Sequence, residues 1–243
     1  MSASNLIDRH IFLSIPVDDV TYTETLEWIN QKILVGELSQ ICTVNPEFVI
    51  TAQNHARFRS VLQRASLCLP DGQGLLWASR LHGVPLRERV AGSTLVDLIA
   101  EKAASKGWRL FFLGAGPGVA ELAADTLRSK YRGLDKIYTM EASPSIEDAQ
   151  SIIQNVRDSK PDILLVAFGA PDQDLWIDRY IQYLGTPIII GVGGAFDFIS
   201  GRTKRAPIIV QRLGFEWFHC LWAQPWRWKR MLALPVFSWK IIS

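Results

Sequence analysis

Cysteine is scarce in this chain, and the usual signatures of metal, redox and nucleotide-hydrolysing chemistry are missing with it. Cys42, Cys68 and Cys220 are the three cysteines in 243 residues, with no C-x-x-C pair and no histidine at zinc-ligand spacing. That excludes a disulfide framework or a structural zinc as the organising device, and points to reduced thiols in a cytosolic compartment. His10, His55, His82 and His219 fall at no triad or metal-ligand spacing and read as structural or surface residues. No Gly-Lys-Ser/Thr phosphate loop, G-x-S-x-G elbow or H-E-x-x-H helix occurs. A D-x-D pair that would hold a divalent ion at a strand end is also lacking; "DQD", Asp172 to Asp174, at a helix start is a weak exception. No apolar run reaches the roughly 18 residues of a membrane span. The N-terminus has no basic segment leading into a long apolar run, so no signal peptide is expected.

What the chain does have is apolar material, 48% of it, enough for one ordinary domain with an appendage. Up to about residue 201, short apolar runs alternate with amphipathic stretches of helical length, and there is no internal repeat or low-complexity linker. This pattern predicts an α/β, Rossmann-like fold with a largely parallel sheet and helices on both faces. Strands are expected near Ile11–Ile15, Gln40–Val44, Leu67–Leu69, Arg109–Gly114, Lys136–Met140, Asp162–Phe168 and Pro187–Val192. Helical spacing marks residues 21–34, 46–65, 92–107, 118–131, 145–160 and 171–185. Pro46 and Pro171 suit first-turn positions, and Gly107 and Gly185 suit C-terminal stops.

The last segment breaks the rhythm, dividing the chain into a core, residues 1–202, and an appendage, residues 203–243. The appendage shows no clear strand and is cut by Pro225 and Pro235 into short pieces of helical character. It carries seven basic residues against Glu216 alone, a net +6 in a chain whose total is +2, so the core is acidic overall. Five of the nine tryptophans also lie there: Trp217, Trp222, Trp226, Trp228 and Trp239. Basic residues interleaved with tryptophan suit an anionic interfacial surface, each Lys or Arg contributing about 1 kcal/mol. An aromatic subdomain packed on the sheet would account for the tryptophans less well, because "PWRWKR" pairs charge with aromatics too tightly for simple burial.

In a doubly wound sheet, ligands bind beyond the carboxyl ends of the strands. Five expected strand ends carry polar or glycine-rich sequences: "TVNPE", "PDG", "GAGPG", "GAPDQD" and "GVGGAFD". In "LCLPDGQGLLWA", Asp71 could cap a helix starting at Gly72 or act as a carboxylate at a strand end. "GAGPGVA" misses the dinucleotide spacing, since its third glycine is Gly118 where position 119 is required. Gly114 and Gly116 still suit either a phosphate-bearing ligand at a helix N-terminus or a plain tight turn.

Taken together and in order, "TVNPEFV", "PDGQGL", "ERVAGSTL", "FFLGAGPGVA", "LLVAFGAPDQDLWI" and "GVGGAFDFISGRTKRAP", followed by "LGFEWFHCLWAQPWRWKR", resemble the WecG/TagA/CpsF family of bacterial glycosyltransferases. The resemblance covers about residues 10–232. It implies a hexosyltransferase moving N-acetylmannosamine, or its uronic acid, from a UDP-sugar to polyprenyl-diphosphate-linked N-acetylglucosamine. Inversion at the anomeric centre is implied, with no metal and no cofactor.

On that resemblance Asp71 is the general base and Thr43 its companion in catalysis, with Asn45 also matching the motif that contacts the donor sugar or places the acceptor hydroxyl. Arg89 and Gln173 match pocket residues, Arg89 as a cation for the leaving diphosphate. Asp197 matches a recurring acid of undefined role, and Gly114 and Gly116 match the glycine loop. Asp174 departs from the family pattern, which has Glu there. The appendage is expected to fold over the site at the membrane, with Arg212, Arg227 and Arg230 gripping the lipid diphosphate. The implied location is peripheral, on the cytoplasmic face of the bacterial membrane, and the aromatic tail allows self-association when no membrane is present. A non-catalytic nucleotide-sugar or lipid-binding module is the alternative. A nucleic-acid-binding role for the tail fits poorly, because the core is acidic and its strand-end motifs would go unexplained.

Overall fold

The computed structural model describes residues 7–203 together with residues 236 and 237. The first expected strand is a hairpin: β1 (Arg9–Phe12) and β2 (Ile15–Asp18) pair antiparallel in a sheet of their own. Leu13 and Ser14 between them both have positive φ, the geometry of a two-residue hairpin turn, and this splits the apolar run in two. Helix α1 (Tyr22–Val35) then starts at a capping box between Thr21 and Glu24 and stops at left-handed Gly36.

The rest of the core alternates much as the periodicity predicts, with two helices outside the expected stretches, at residues 73–81 and 195–199. The order is β3 (Ser39–Val44), α2 (Pro46–Asn54), α3 (Ala56–Arg64), β4 (Leu67–Pro70), α4 (Gln73–Leu81), α5 (Gly92–Lys106), β5 (Leu110–Gly114) and α6 (Val119–Lys130). It continues through β6 (Ile137–Met140), α7 (Ile146–Ser159), β7 (Ile163–Ala167), α8 (Asp172–Leu184), β8 (Ile188–Gly191) and α9 (Ala195–Ile199). The stretch expected as one helix over residues 46–65 is two. His55 ends α2, and its Nδ1 accepts the Phe58 N–H at 3.1 Å to start α3.

Six strands form one parallel sheet in the order β4-β3-β8-β7-β5-β6. Parallel strands buried on both sides read as continuous apolar runs. Their alternate residues go to opposite faces. Ile41, Phe112, Leu165 and Ile190 pack with α1, α5, α6 and α9, whereas Cys42, Leu113, Val166 and Ile189 belong to the layers with α2, α3, α7 and α8. The fold is thus Rossmann-like, and every strand of the sheet ends on the same edge. Among the described residues, no helix is long and apolar enough to cross a membrane.

The hairpin is locked to the sheet by a buried charge. Asp18 is 1% exposed; it takes two hydrogen bonds from Arg9, at 2.6 and 2.9 Å, and one from the Cys68 N–H at 2.6 Å. Asp18→Ala leaves that strand N–H buried without an acceptor and Arg9 without its carboxylate. The expected cost is about 2–3 kcal/mol, read as a lowered urea midpoint.

Candidate active site

The carboxyl ends of β4, β3, β8, β7 and β5 lie side by side, and the strand-end residues singled out within the core lie along that edge. Asp71 directly follows β4, its N–H bonded to the Val44 carbonyl at 2.7 Å. It does not cap α4, which starts at Gln73 with Gly72 as N-cap and no side-chain cap. Instead its Oδ2 accepts the N–H of Gly92, the first residue of α5, at 3.2 Å. The carboxylate therefore sits at the positive end of a 15-residue helix far along the chain. Gly72, at φ +131°, lets the chain pass Pro46 and Asn45, whose atoms would stand 3.2 and 3.6 Å from a Cβ there.

Arg89 meets the other oxygen of Asp71 at 3.4 Å, and both side chains are about one-fifth exposed. Thr43 lies on the same side: its methyl and Asp71 Oδ2 are the atoms nearest to where a Cβ on Gly92 would stand, at 3.4 and 3.8 Å. The Thr43 hydroxyl donates to the Gly191 carbonyl at 3.1 Å, so its oxygen is left to accept from a ligand. Asn45 is the N-cap of α2, accepting the Phe48 N–H at 3.0 Å. Its motif position therefore has a sufficient structural reason as well.

Gln173 and Asp174, in the first turn of α8, come in against β8. A Cβ at Gly191 would fall 2.5 Å from Gln173 Nε2 and 2.8 Å from Asp174 Oδ1. Only glycine permits that approach. Gln173 in turn accepts the Gly193 N–H at 2.9 Å, fixing the loop after β8. This loop leads to α9, where Phe196 stacks on Phe112 at 4.5 Å and Asp197 projects beside Gly194.

The "DQD" acids are divided by the helix: Asp172 is exposed, whereas Asp174 is fully buried near the Cys42 thiol. They do not converge on one ion. Among the described residues neither Asp174 oxygen meets a donor at hydrogen-bond geometry. Burial pushes this carboxyl up to about 7, and burial likewise raises the Cys42 thiol.

The glycine loop after β5 has its own packing reasons. Gly114, at φ +87°, lies against the Phe168 ring, which a Cβ would approach to 2.6 Å. At the head of α6 the Gly118 N–H donates to the Glu141 carboxylate at 2.6 Å, so an internal anion already uses that donor. Gly116 stays open beside Arg202, which also reaches the Pro117 carbonyl at 3.2 Å.

The sequence matches the "Glycosyl transferase WecG/TagA/CpsF family" over residues 10–243. The chain belongs to this family. Among curated proteins, an N-acetylglucosaminyldiphosphoundecaprenol N-acetyl-beta-D-mannosaminyltransferase of Bacillus spizizenii is 34% identical over 203 residues, 84% of this chain and 78% of that one. Proteins of the same name in Bacillus subtilis and Staphylococcus aureus are 31% and 29% identical, each alignment covering at least 94% of this chain and 90% of the relative. The protein is accordingly a glycosyltransferase.

Sequence reasoning missed Tyr22. Its phenol oxygen accepts the Ala91 N–H at 2.8 Å, steadying the turn that presents Gly92 to Asp71. Burial raises its hydroxyl pKa, with the Asp71 charge adding to the same effect. A first-turn tyrosine of an amphipathic helix gives no hint of this contact, which forms across the 69 residues to Ala91. Arg212, Arg227 and Arg230 lie outside the described residues.

Two outcomes follow for the β8 junction. Gly191→Ala drives its methyl into the buried Gln173 and Asp174 side chains, which must swing away, with an expected loss of about 1–3 kcal/mol in urea unfolding and a drop in turnover as Gln173 leaves Gly193. The second concerns Asp174, whose proton is held in the folded chain up to about pH 7 and released from the unfolded chain near its ordinary 3.8. Its contribution to stability is full below the lower value and lost as pH rises through the upper one. Asp174→Asn is expected to flatten that decline, measured as urea midpoints across the interval.

Proposed function

We propose that this protein transfers N-acetylmannosamine, or a related hexose or uronic acid, from a UDP-sugar to polyprenyl-diphosphate-linked N-acetylglucosamine, with inversion and without a metal ion. The observation that carries the reading is the placement of Asp71. It is a partly exposed carboxylate at a strand end, held by a helix N-terminal N–H and beside a cation. The names of the relatives supply the acceptor class.

In this mechanism an Asp71 oxygen takes the proton of the acceptor sugar hydroxyl as that oxygen attacks the anomeric carbon. The new glycosidic bond forms on the face opposite the breaking C–O bond, and the electron pair of that bond leaves with UDP. General-base assistance of this kind contributes 10²–10⁴-fold, about 3–5 kcal/mol of barrier. Thr43, with its proton committed to Gly191, accepts from a sugar hydroxyl and helps set the attack angle. The leaving diphosphate needs fixed positive partners in place of a metal. Arg89 is positioned for this role, with Arg212, Arg227 and Arg230 of the appendage as further partners. On this reading Gln173, Asn45 and Asp197 belong to the donor side, with Gly116, which lies beside Arg202, extending it. Such an enzyme works peripherally at the cytoplasmic face of the membrane, where its acceptor is anchored.

The test is UDP release by the purified full chain from a panel of UDP-sugars, with a short-chain polyprenyl-diphosphate-GlcNAc acceptor and EDTA present. Turnover should require acceptor and survive EDTA. Asp71→Asn should lower kcat at least about 100-fold while leaving the unfolding midpoint close to wild type, since Asn Oδ1 still accepts from Gly92. Unchanged turnover in Asp71→Asn would reduce Asp71 to a cap of α5. Binding of donor and acceptor with no transfer to any sugar would make the protein a binding module.

A further inference from the structure

Helix α4 has an outer face that neither the core nor the mechanism uses. Leu75, Leu76, Ala78 and Ser79 point inward and are buried. On the other side Trp77 is 50%, Leu81 70% and Val84 37% exposed, with Arg80 and His82 exposed among them. Trp77, Arg80 and Leu81 fall at the i, i+3 and i+4 spacing of one helical stripe. From Gln73 to Arg87 the sequence holds no acid. A contiguous tryptophan, leucine, valine and arginine surface of this kind is a binding surface rather than ordinary exterior.

We infer that the α4 face, Trp77, Arg80, Leu81 and Val84, docks on an anionic phospholipid bilayer and sets the Asp71 crevice against it. This rests on the reading of the acceptor as a lipid-linked sugar. In such an acceptor the reacting hydroxyl is separated from the hydrocarbon only by one sugar and a diphosphate. The surface that meets the bilayer must therefore lie next to the base. Helix α4 begins two residues after Asp71, and Trp77 lies about 6 Å along its axis from Gln73, four residues at 1.5 Å each. Trp at the headgroup level, Leu and Val below it and Arg toward lipid phosphates is the distribution of interfacial helices.

The appendage supports the same orientation. Phe237, 1% exposed, packs in the apolar cluster that holds Leu75, Leu76 and Ala78 of α4, and its neighbour Val236 is 42% exposed. Residues 236 and 237 are thus tied to the layer that carries α4.

The experiment uses the full chain, and floats it with vesicles of phosphatidylglycerol and phosphatidylcholine or of phosphatidylcholine alone. Trp77→Ser combined with Leu81→Ser is compared with wild type and with Leu122→Ser combined with Ile146→Ser, which removes exposed apolar side chains elsewhere. The α4 pair is expected to weaken partition into the anionic vesicles about tenfold, and the control pair to match wild type. With undecaprenyl acceptor in those vesicles the α4 pair should raise the apparent KM. With short-chain acceptor in solution its kcat should equal wild type. Partition of the α4 pair equal to wild type, or equal losses in both pairs, overturns the proposal. A change in oligomeric state or melting temperature without a change in partition also overturns it, assigning the face to a second copy or to the chain's own C-terminal segment. If wild type fails on the soluble acceptor while partition still depends on α4, the acceptor reading falls and the docking face stands.

Discussion

The missing side chain at Gly191 is the point on which the site's arrangement depends. The residue ends β8 in the middle of the sheet, between β3 and β7, and both of its flanks are in use. Its Cα side admits the first turn of α8, bringing Gln173 and Asp174 closer than any Cβ would allow, and its carbonyl holds the Thr43 hydroxyl. Gln173 then fixes Gly193, and Thr43 stands beside Gly92 and Asp71. A close contact between a helix and a strand end thus links the loop after β8 to Thr43 and, through it, to the surroundings of Asp71.

The edge on which these residues meet is a consequence of strand direction. In an all-parallel sheet every strand delivers its C-terminal loop to the same side, so five separate segments converge without long loops. Helix N-termini arrive on that edge too. The first residue of α5 donates to Asp71, whereas the head of α6 is satisfied by Glu141. Two superficially equivalent strand-to-helix turns therefore differ in chemistry. One presents a carboxylate toward a crevice, and the other neutralises its own dipole within the fold.

Much of this was legible along the chain. Apolar runs of four to six residues and helical periodicity marked the sheet strands to within a residue or two, because both signals are local and buried parallel strands carry them strongly. The hairpin was not legible, since Ile11–Ile15 has no Gly or Asn to announce a turn that Leu13 and Ser14 make at positive φ. Nor was the break at His55, where an imidazole stands in for the usual Ser or Asp cap. Asp174 offered a change of side-chain length to the eye; its burial beneath Gly191 is a matter of packing, and so is the raised pKa that burial imposes.

The sequence by itself determined the fold class, the division between an acidic core and a basic aromatic appendage, and the ordered motifs that place the chain in its family. These are encoded in residue type and spacing, which act over one or two turns of helix or one strand. Only the tertiary structure decided that Asp71 caps α5 rather than α4, that Arg89 and Thr43 flank it, and that Tyr22 supports it. It also decided that the helix after Asp71 turns Trp77 and Leu81 outward. Those relations join residues tens of positions apart, and their physical cause is which surfaces the sheet brings into contact, a quantity that no local spacing carries.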